Sequence, residues 1–505
     1  MSGPGGSSTA GRLLTIDLGT TATKVALWST APPTGLVAVG RAEVPTARPA
    51  PGWAEQDPRH WLDSVATACR RLAEQMPDRS FPTVAALVLT GARQTIVPVT
   101  AVGEPIGPAL LWSDHRAAAE ADALTESPGS DEARRRTGHP VDAGAVAAKI
   151  AWLSVHDAER LARAAWLVSP RDLLAWHLTG ELATEPTMAS RSGVYDLGAD
   201  DVILGPVIGA LAGAGADRLP PVVATGSVLG PLLAARADDL GLPAGIPIVL
   251  GATDRASEAL GAAATATSPV VSWGTTASVS AAWSSRPADL PHGLGLTRGA
   301  AGDWLVEAGL SSAGALLDWL ARLTGESAAD LADRAAAAPP MARGVLAVPW
   351  LDGARAPRWT SGARAGFAGL GAGHDAGDLA RAAYEAVAMD VATVLDSLGS
   401  VGAELPQAIT LSGGGARVAA WVEAVIGITG LPAIHRHSSE AASAGAALTG
   451  ARALGLATGL DELDPVVAET RPNADLVARY AGFTERARAL ADRLIDLPPR
   501  AAPET

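Results

Sequence analysis

An acid, a glycine, two adjacent hydroxyls and a lysine are gathered in LTIDLGTTATKVALW, Leu14 to Trp28: Asp17, Gly19, Thr20, Thr21 and Lys24. Glycine lets a turn bend until backbone N–H groups converge on an anion, and threonines add hydroxyl donors. Asp17 repels a bare phosphate but tolerates one when Mg²⁺ lies between them, directly or through water. Lys24 offsets the charge that remains. A plain Gly-Thr turn with a capping aspartate explains this stretch equally well. What favours the phosphate reading is a second copy, VSWGTTASVSAAW, with Gly274, Thr275 and Thr276, and with Ser272 where Asp17 stands. Two such hairpins, one acidic and one hydroxyl-rich, suit a polyphosphate clasped from both sides across a cleft.

Three further groups carry chemistry. Asp254 in VLGATDRASEALG follows an apolar run and opens a helical pattern. Layered α/β proteins present ligands at such strand ends, although aspartate is equally a favoured helix cap. Gly413, Gly414 and Gly415 in LSGGGARVAAW, with Ala416 and Arg417 after them, make a turn a ligand can approach closely. Arg93, beside Gln94 in TGARQTIV, and Arg255 supply positive charge and donors suited to a hydroxyl-rich or acidic substrate, and Trp112 and Asp114 in LLWSDHR are candidates to border it. The bland alternatives are ion pairs of Arg93 and Arg255 with Asp114 or Glu258, and a buried tryptophan beside a paired acid. His435 and His437 have no metal-ligand company and read as surface residues.

The elements that position these groups alternate between strand and helix. The run from Leu13, VAALVLTG (Val84 to Gly91) and IPIVLG read as strands. QDPRHWLDSVATACRRLAE reads as a helix with Asp57 as N-cap and Pro58 at its first position. KIAWLSVHDAERLARAAWLVSPRDLLAWHLTG reads as helical throughout. DLARAAYEAVAMDVATVLDSL reads as a long amphipathic helix with Leu379, Ala383, Val387, Val394 and Leu398 near one face. Mixed elements in two similar halves predict α/β layers, divided near Gly251.

A chain of 505 residues exceeds one ordinary core. A net charge of −14 argues against a nucleic-acid partner. Its one cysteine, Cys69, excludes disulfide frameworks and cysteine-rich zinc sites. Cys69 falls in a helical pattern with Trp61, Val65 and Leu72 and reads as core. The absence of a signal-like start and of long apolar runs predicts a cytoplasmic protein with no membrane partner.

In order along the chain, IDLGTTATK, GWAEQDP, GARQTIVPV, LLWSDHRA, KIAWL, LTGELAT, GLPAGIPIVLGATDRASEALG, SWGTTASV, VPWLDGARAPRW and LSGGGARVAAWVEAV are similar to motifs of the FGGY family of carbohydrate kinases, over about Leu13 to Leu490. The resemblance implies two duplicated actin-like, ribonuclease-H-like domains with a ligand cleft between them. It implies a tail over 1–12, a sugar-binding domain over 13–251, a nucleotide-binding domain over 252–495 and a tail over 496–505. It implies ATP and Mg²⁺, with Asp17 at the metal and Asp254 as the catalytic base. Gly19, Thr20, Thr21, Lys24, Gly274, Thr275, Thr276, Gly413, Gly414, Gly415 and Ala416 fall on the nucleotide side. Arg93, Gln94, Trp112, Asp254 and Arg255 fall on the sugar side. Xylulokinases carry Met-His where Arg93-Gln94 stands, and glycerol kinases carry Arg-Glu. The residue after the base is Asn or Gln in those enzymes and Arg255 here. Ala354 replaces the usual acid before Arg355. The expected activity is ATP-dependent phosphorylation of a pentulose such as D-xylulose. The alternatives are a glycerol, polyol or gluconate kinase, or a degenerate nucleotide-binding relative. A small sugar or polyol is the partner expected, and the assembly it allows is a homodimer. Hsp70- or actin-like modules share the superfold but lack the Asp254 motif.

Overall fold

The computed structural model describes residues 11–77, 81, 83–127, 130–199, 201–202, 218–291, 293–351, 353–360, 362–402, 404–456 and 458–495. Residues 1–10 and 496–505, expected as tails, lie outside the described residues. The chain forms two compact units. The first holds Met1–Gly261, Leu296–Asp303 and Ala441–Pro465, and the second holds the remainder. The helix that Asp254 opens thus packs in the first unit, with the strand before it.

In the first unit, β1 (Arg12–Leu18), β2 (Ala22–Ser29) and β3 (Gly35–Glu43) form an antiparallel meander. β4 (Ala86–Gly91), β5 (Val228–Pro231) and β6 (Pro247–Leu250) complete a mixed sheet in the order β5-β6-β4-β1-β2-β3. β1, β4 and β6 run parallel and β5 antiparallel. Alternation along the strands supplies a core on each face. Ile16, Val25, Leu27, Leu87 and Leu89 pack with Trp61, Val65, Cys69 and Leu72 of helix Arg59–Ala73. Leu13, Ala26, Trp28, Val88 and Val249 pack with Ala444 and Leu448 of helix Ala441–Ala453. That helix comes from late in the chain. Its Ser443 hydroxyl lies 2.6 Å from the Thr15 hydroxyl and accepts from the Trp28 indole over 2.7 Å.

The second unit repeats the pattern. β7 (Val270–Trp273) pairs antiparallel with β8 (Ala277–Trp283), and β8 with β9 (Trp304–Gly309). β10 (Ile409–Gly413) lies parallel between β7 and β11 (Ala433–Arg436). β12 (Val466–Thr470) closes the edge antiparallel to β11. The order β9-β8-β7-β10 matches β3-β2-β1-β4 of the first unit, as the duplicated sequence predicts, but the outer pair is exchanged: edge strand β12 follows β11 in the chain, whereas β5 precedes β6.

Local readings shift in three places. Helix Arg59–Ala73 starts after Pro58, and Asp57 Oδ1 accepts from the Arg59 N–H over 3.0 Å. The stretch read as helical throughout contains strand Trp166–Val168 between helices Ala158–Arg163 and Pro170–Thr179. The helix expected to be amphipathic, Ala376–Leu398, is buried on nearly every side, because helices Ala328–Ala337 and Ala419–Thr429 pack against it. Among the described residues no helix is long and apolar enough to cross a membrane.

Candidate active site

In the first unit the carboxyl ends of β1, β4 and β6 lie side by side, with Leu18 beside Gly91 and Leu250 beside Leu89. Three loops leave this edge: the hairpin Gly19–Ala22, the segment with Arg93 and Gln94, and Gly251–Thr253 leading into helix Asp254–Gly261. Backbone bonds bind them together, Ala92 N–H to the Leu18 carbonyl (3.0 Å) and Gly251 N–H to the Leu89 carbonyl (2.9 Å). The Thr90 hydroxyl donates to the Ala252 carbonyl over 2.6 Å.

Asp254 sits at the helix start, and its Oδ1 accepts from the Arg255 N–H over 2.7 Å. Burial pushes its carboxyl above the usual range, while the guanidiniums of Arg255 and Arg93 pull it back. Asp254 thus lies within the field of both arginines. Arg255 also pairs with Glu258 at 3.1 Å, so the ion-pair alternative holds for this residue. Asp114 is taken by Arg116, with Nε to Oδ1 2.8 Å and Nη2 to Oδ2 2.7 Å, and by the Ala54 N–H over 2.6 Å.

Behind the Asp254 loop lies a wholly buried network that sequence reasoning missed. Arg171 Nη1 donates to Glu185 Oε1 (2.8 Å) and to the Gly251 carbonyl (2.7 Å), and its Nη2 donates to Asp172 Oδ1 (2.7 Å). Glu185 accepts the Thr187 hydroxyl over 2.7 Å, and Thr187 in turn accepts the Thr253 N–H over 2.8 Å. Burial raises the Asp172 carboxyl, with Arg171 opposing. The one signal was a charged pair, Arg171-Asp172, inside an otherwise apolar run.

The sugar-side candidates come with neighbours that the sequence did not single out. Gln94 Oε1 accepts from Arg191 Nη2 over 3.2 Å, and its Nε2 reaches Asp142 Oδ1 at 3.5 Å. Arg191 also donates to Nδ1 of His139. Burial, helped by the Arg191 and Arg93 charges, holds His139 well below its ordinary value, so it is a neutral acceptor there. Trp112 turns its indole N–H to the Thr20 hydroxyl.

Asp17 is buried and faces Lys24 across the hairpin. Among the described residues no group of three or more His, Cys, Asp and Glu is gathered to hold a metal by protein ligands alone. A lone carboxylate at a glycine-threonine turn fits Mg²⁺, which takes few protein ligands and keeps water or substrate phosphate for the rest.

In the second unit Trp273 pairs with Gly413, so the second hairpin and the glycine turn leave adjacent strand ends. This brings Gly274, Thr275 and Thr276 beside Gly413–Ala416. The two hairpins are not superimposable in register. The first turn spans Gly19 to Ala22, between paired Leu18 and Thr23. The second spans Gly274 to Thr276, between paired Trp273 and Ala277. The Gly274 N–H closes onto the Thr276 carbonyl (2.9 Å), and Thr275 is exposed. Trp273 packs against Trp421, with ring centroids 4.3 Å apart and planes tilted by 49°, and floors the glycine turn. A Cβ on Gly415 would lie 2.2 Å from its ring, whereas one on Gly414 meets open space.

Comparison with known proteins accords with this geometry. Residues 12–261 match the N-terminal domain model of the FGGY family of carbohydrate kinases, and residues 270–454 match the C-terminal domain model. A xylulose kinase of Streptomyces rubiginosus is 31% identical over 455 residues, covering 87% of this chain and 89% of that protein. A glycerol kinase of Aromatoleum aromaticum is 30% identical over 467 residues, covering 87% and 92%. The crystal structure of a xylulose kinase from Rhodospirillum rubrum superimposes with a TM-score of 0.83 at 27% identity, covering 96% of this chain and 99% of that one. The chain belongs to the FGGY family of carbohydrate kinases and is a phosphotransferase with an alcohol group as acceptor.

Proposed function

We propose that the protein transfers the terminal phosphate of ATP to a hydroxyl of a small sugar, with a pentulose such as D-xylulose as its substrate. The observation that carries this is Asp254, a carboxylate at the end of β6 whose pKa burial raises and two arginines restrain. A sugar hydroxyl attacks phosphorus poorly until its proton is removed. Asp254 accepts that proton as the oxygen attacks the terminal phosphorus. Arg255 and Arg93 oppose the upward shift that burial imposes on the carboxyl and so favour its ionised form. Arg93, Gln94 and Trp112 line the sugar. Gly19, Thr20, Thr21 and Lys24, with Gly274–Thr276 and Gly413–Ala416, take the nucleotide. Asp17 would hold Mg²⁺, directly or through water, which would supply neutralisation of the phosphate charge.

The pentulose assignment rests on relatives named as xylulose kinases at about 30% identity. A glycerol or polyol reading has Arg93 in its favour, together with the glycerol kinase at 30% identity. A coupled ADP-release screen over pentuloses, hexuloses, polyols, glycerol and aldonates tests both. The expected result is release that depends on a pentulose and is lost in Asp254→Asn. No acceptor-dependent release across the panel overturns the assignment, and release with glycerol alone replaces it.

A further inference from the structure

Gln94 has a φ of 60°. This left-handed conformation is strained for a residue with a side chain, and it persists where surroundings impose it. The Gln94 carbonyl is held by Lys149 of helix Val146–His156, a wholly buried lysine. Its Nζ donates to the Gln94 carbonyl over 2.6 Å and to the Gly144 carbonyl over 2.8 Å. One side chain thus ties the loop after β4 to the loop that opens its own helix. That second loop is pressed onto the sugar-side tryptophan, since a Cβ at Gly144 would lie 2.6 Å from the Trp112 carbonyl oxygen.

The consequence reaches the Gln94 amide. With the backbone fixed, Oε1 meets Arg191 and Nε2 faces Asp142. A glutamate in this place would set a second carboxylate against Asp142. The neutral amide instead accepts at one end and donates at the other, giving a row of cation, amide and anion. Burial drives the Lys149 pKa down to about 7, with Asp114 and Asp142 opposing and Arg116 assisting. A neutral amine still has two N–H donors, one for each carbonyl, so the clamp holds in either charge state.

Resting on the reading that Arg93, Gln94 and Trp112 line the sugar, we propose that Lys149 is a positioning residue for substrate selection. It holds Gln94 in its left-handed conformation and so sets the Arg191–Gln94–Asp142 row that sorts the sugar's hydroxyls.

A double-mutant cycle of Lys149→Met and Gln94→Ala tests this. Lys149→Met is expected to raise the sugar KM about tenfold, the scale of a lost polar contact, with ATP KM and kcat near wild type. In the Gln94→Ala background the same change should move the sugar KM by less than about twofold. Additive effects, or a common change in kcat and both KM values, overturn the proposal. Lys149→Gln keeps an N–H donor on a chain too short to reach both carbonyls and should likewise raise the sugar KM with kcat near wild type. It decides the matter should Lys149→Met not fold. A crystal structure of the folded variant reads the backbone without any substrate: Gln94 relaxed to negative φ supports the clamp, and Gln94 still near its native φ overturns it. A wild-type protein inactive on every sugar would sink the substrate assignment alone, since the crystallographic result still decides the clamp.

Discussion

The Trp112 indole N–H donates to the Thr20 hydroxyl over 2.8 Å. A residue of the hairpin proposed to meet phosphate is thereby bonded to a residue proposed to line the sugar, although they stand far apart in sequence. The hydroxyl accepts from the indole and keeps its own hydrogen to donate. Thr20→Val should therefore raise the KM for both nucleotide and sugar and cost about 1 kcal/mol of stability. Trp112→Phe removes the indole donor and leaves the hydroxyl, so it should raise the sugar KM alone. Steady-state kinetics with each substrate varied in turn separate the two outcomes.

Asp254 is both a helix start and the proposed base, and these roles come apart on substitution. Asparagine caps helices about as well as aspartate but cannot take a proton as a carboxylate does. Asp254→Asn should melt near the wild-type temperature and lose about 10²-fold or more in turnover. Wild-type turnover in the folded variant would remove Asp254 from the mechanism.

The pH profile has a defined sign. A base works ionised, so kcat/KM falls as pH drops through its pKa. Burial already moves the Asp254 pKa upward, and Arg255 and Arg93 hold it down. Arg255→Gln removes one of those charges and releases Glu258, whose charge acts in the raising direction. The acid limb of kcat/KM should shift to higher pH in Arg255→Gln and, for the same reason, in Arg93→Gln. A limb that stays in place or moves to lower pH contradicts the assignment.

Two neighbouring glycines separate packing from ligand approach. Gly415→Ala drives a methyl into the Trp273 ring and should destabilise the protein by about 1–3 kcal/mol, the scale of overpacking. Gly414→Ala has room and should leave the melting temperature nearly unchanged. If this turn meets the nucleotide, Gly414→Ala should still raise the ATP KM. An unchanged KM places the nucleotide elsewhere.

Arg171→Met leaves Asp172 and Glu185 buried without their shared cation. The expected loss is about 3–5 kcal/mol, measured as a lower denaturation midpoint. Turnover should fall as well, because Arg171 also holds the Gly251 carbonyl at the approach to Asp254.

What the sequence determined by itself is local. Asp17 with its Gly-Thr-Thr turn, the repeat at Gly274, the glycine triplet and Asp254 are each legible. In every case the chemistry lies within a few residues of a strand end, and apolar runs betray the strand. The duplication was legible because both hairpins kept their residues. Everything that depends on partners distant in sequence was decided by tertiary packing: Trp112 on Thr20, Lys149 on Gln94, Arg191 between Gln94 and His139, and Arg171 between Glu185 and Gly251. No periodicity encodes such pairs, because a buried donor is satisfied by whichever acceptor the fold brings near it. The same holds for the one-residue difference between the two hairpins, which turn closure decides. It holds too for helix Ala376–Leu398, whose outer face is covered by helices that its own pattern cannot foresee. Ser443 completes the contrast: an unremarkable serine late in the chain becomes a core contact of the first strands, because its helix folds back onto the first unit.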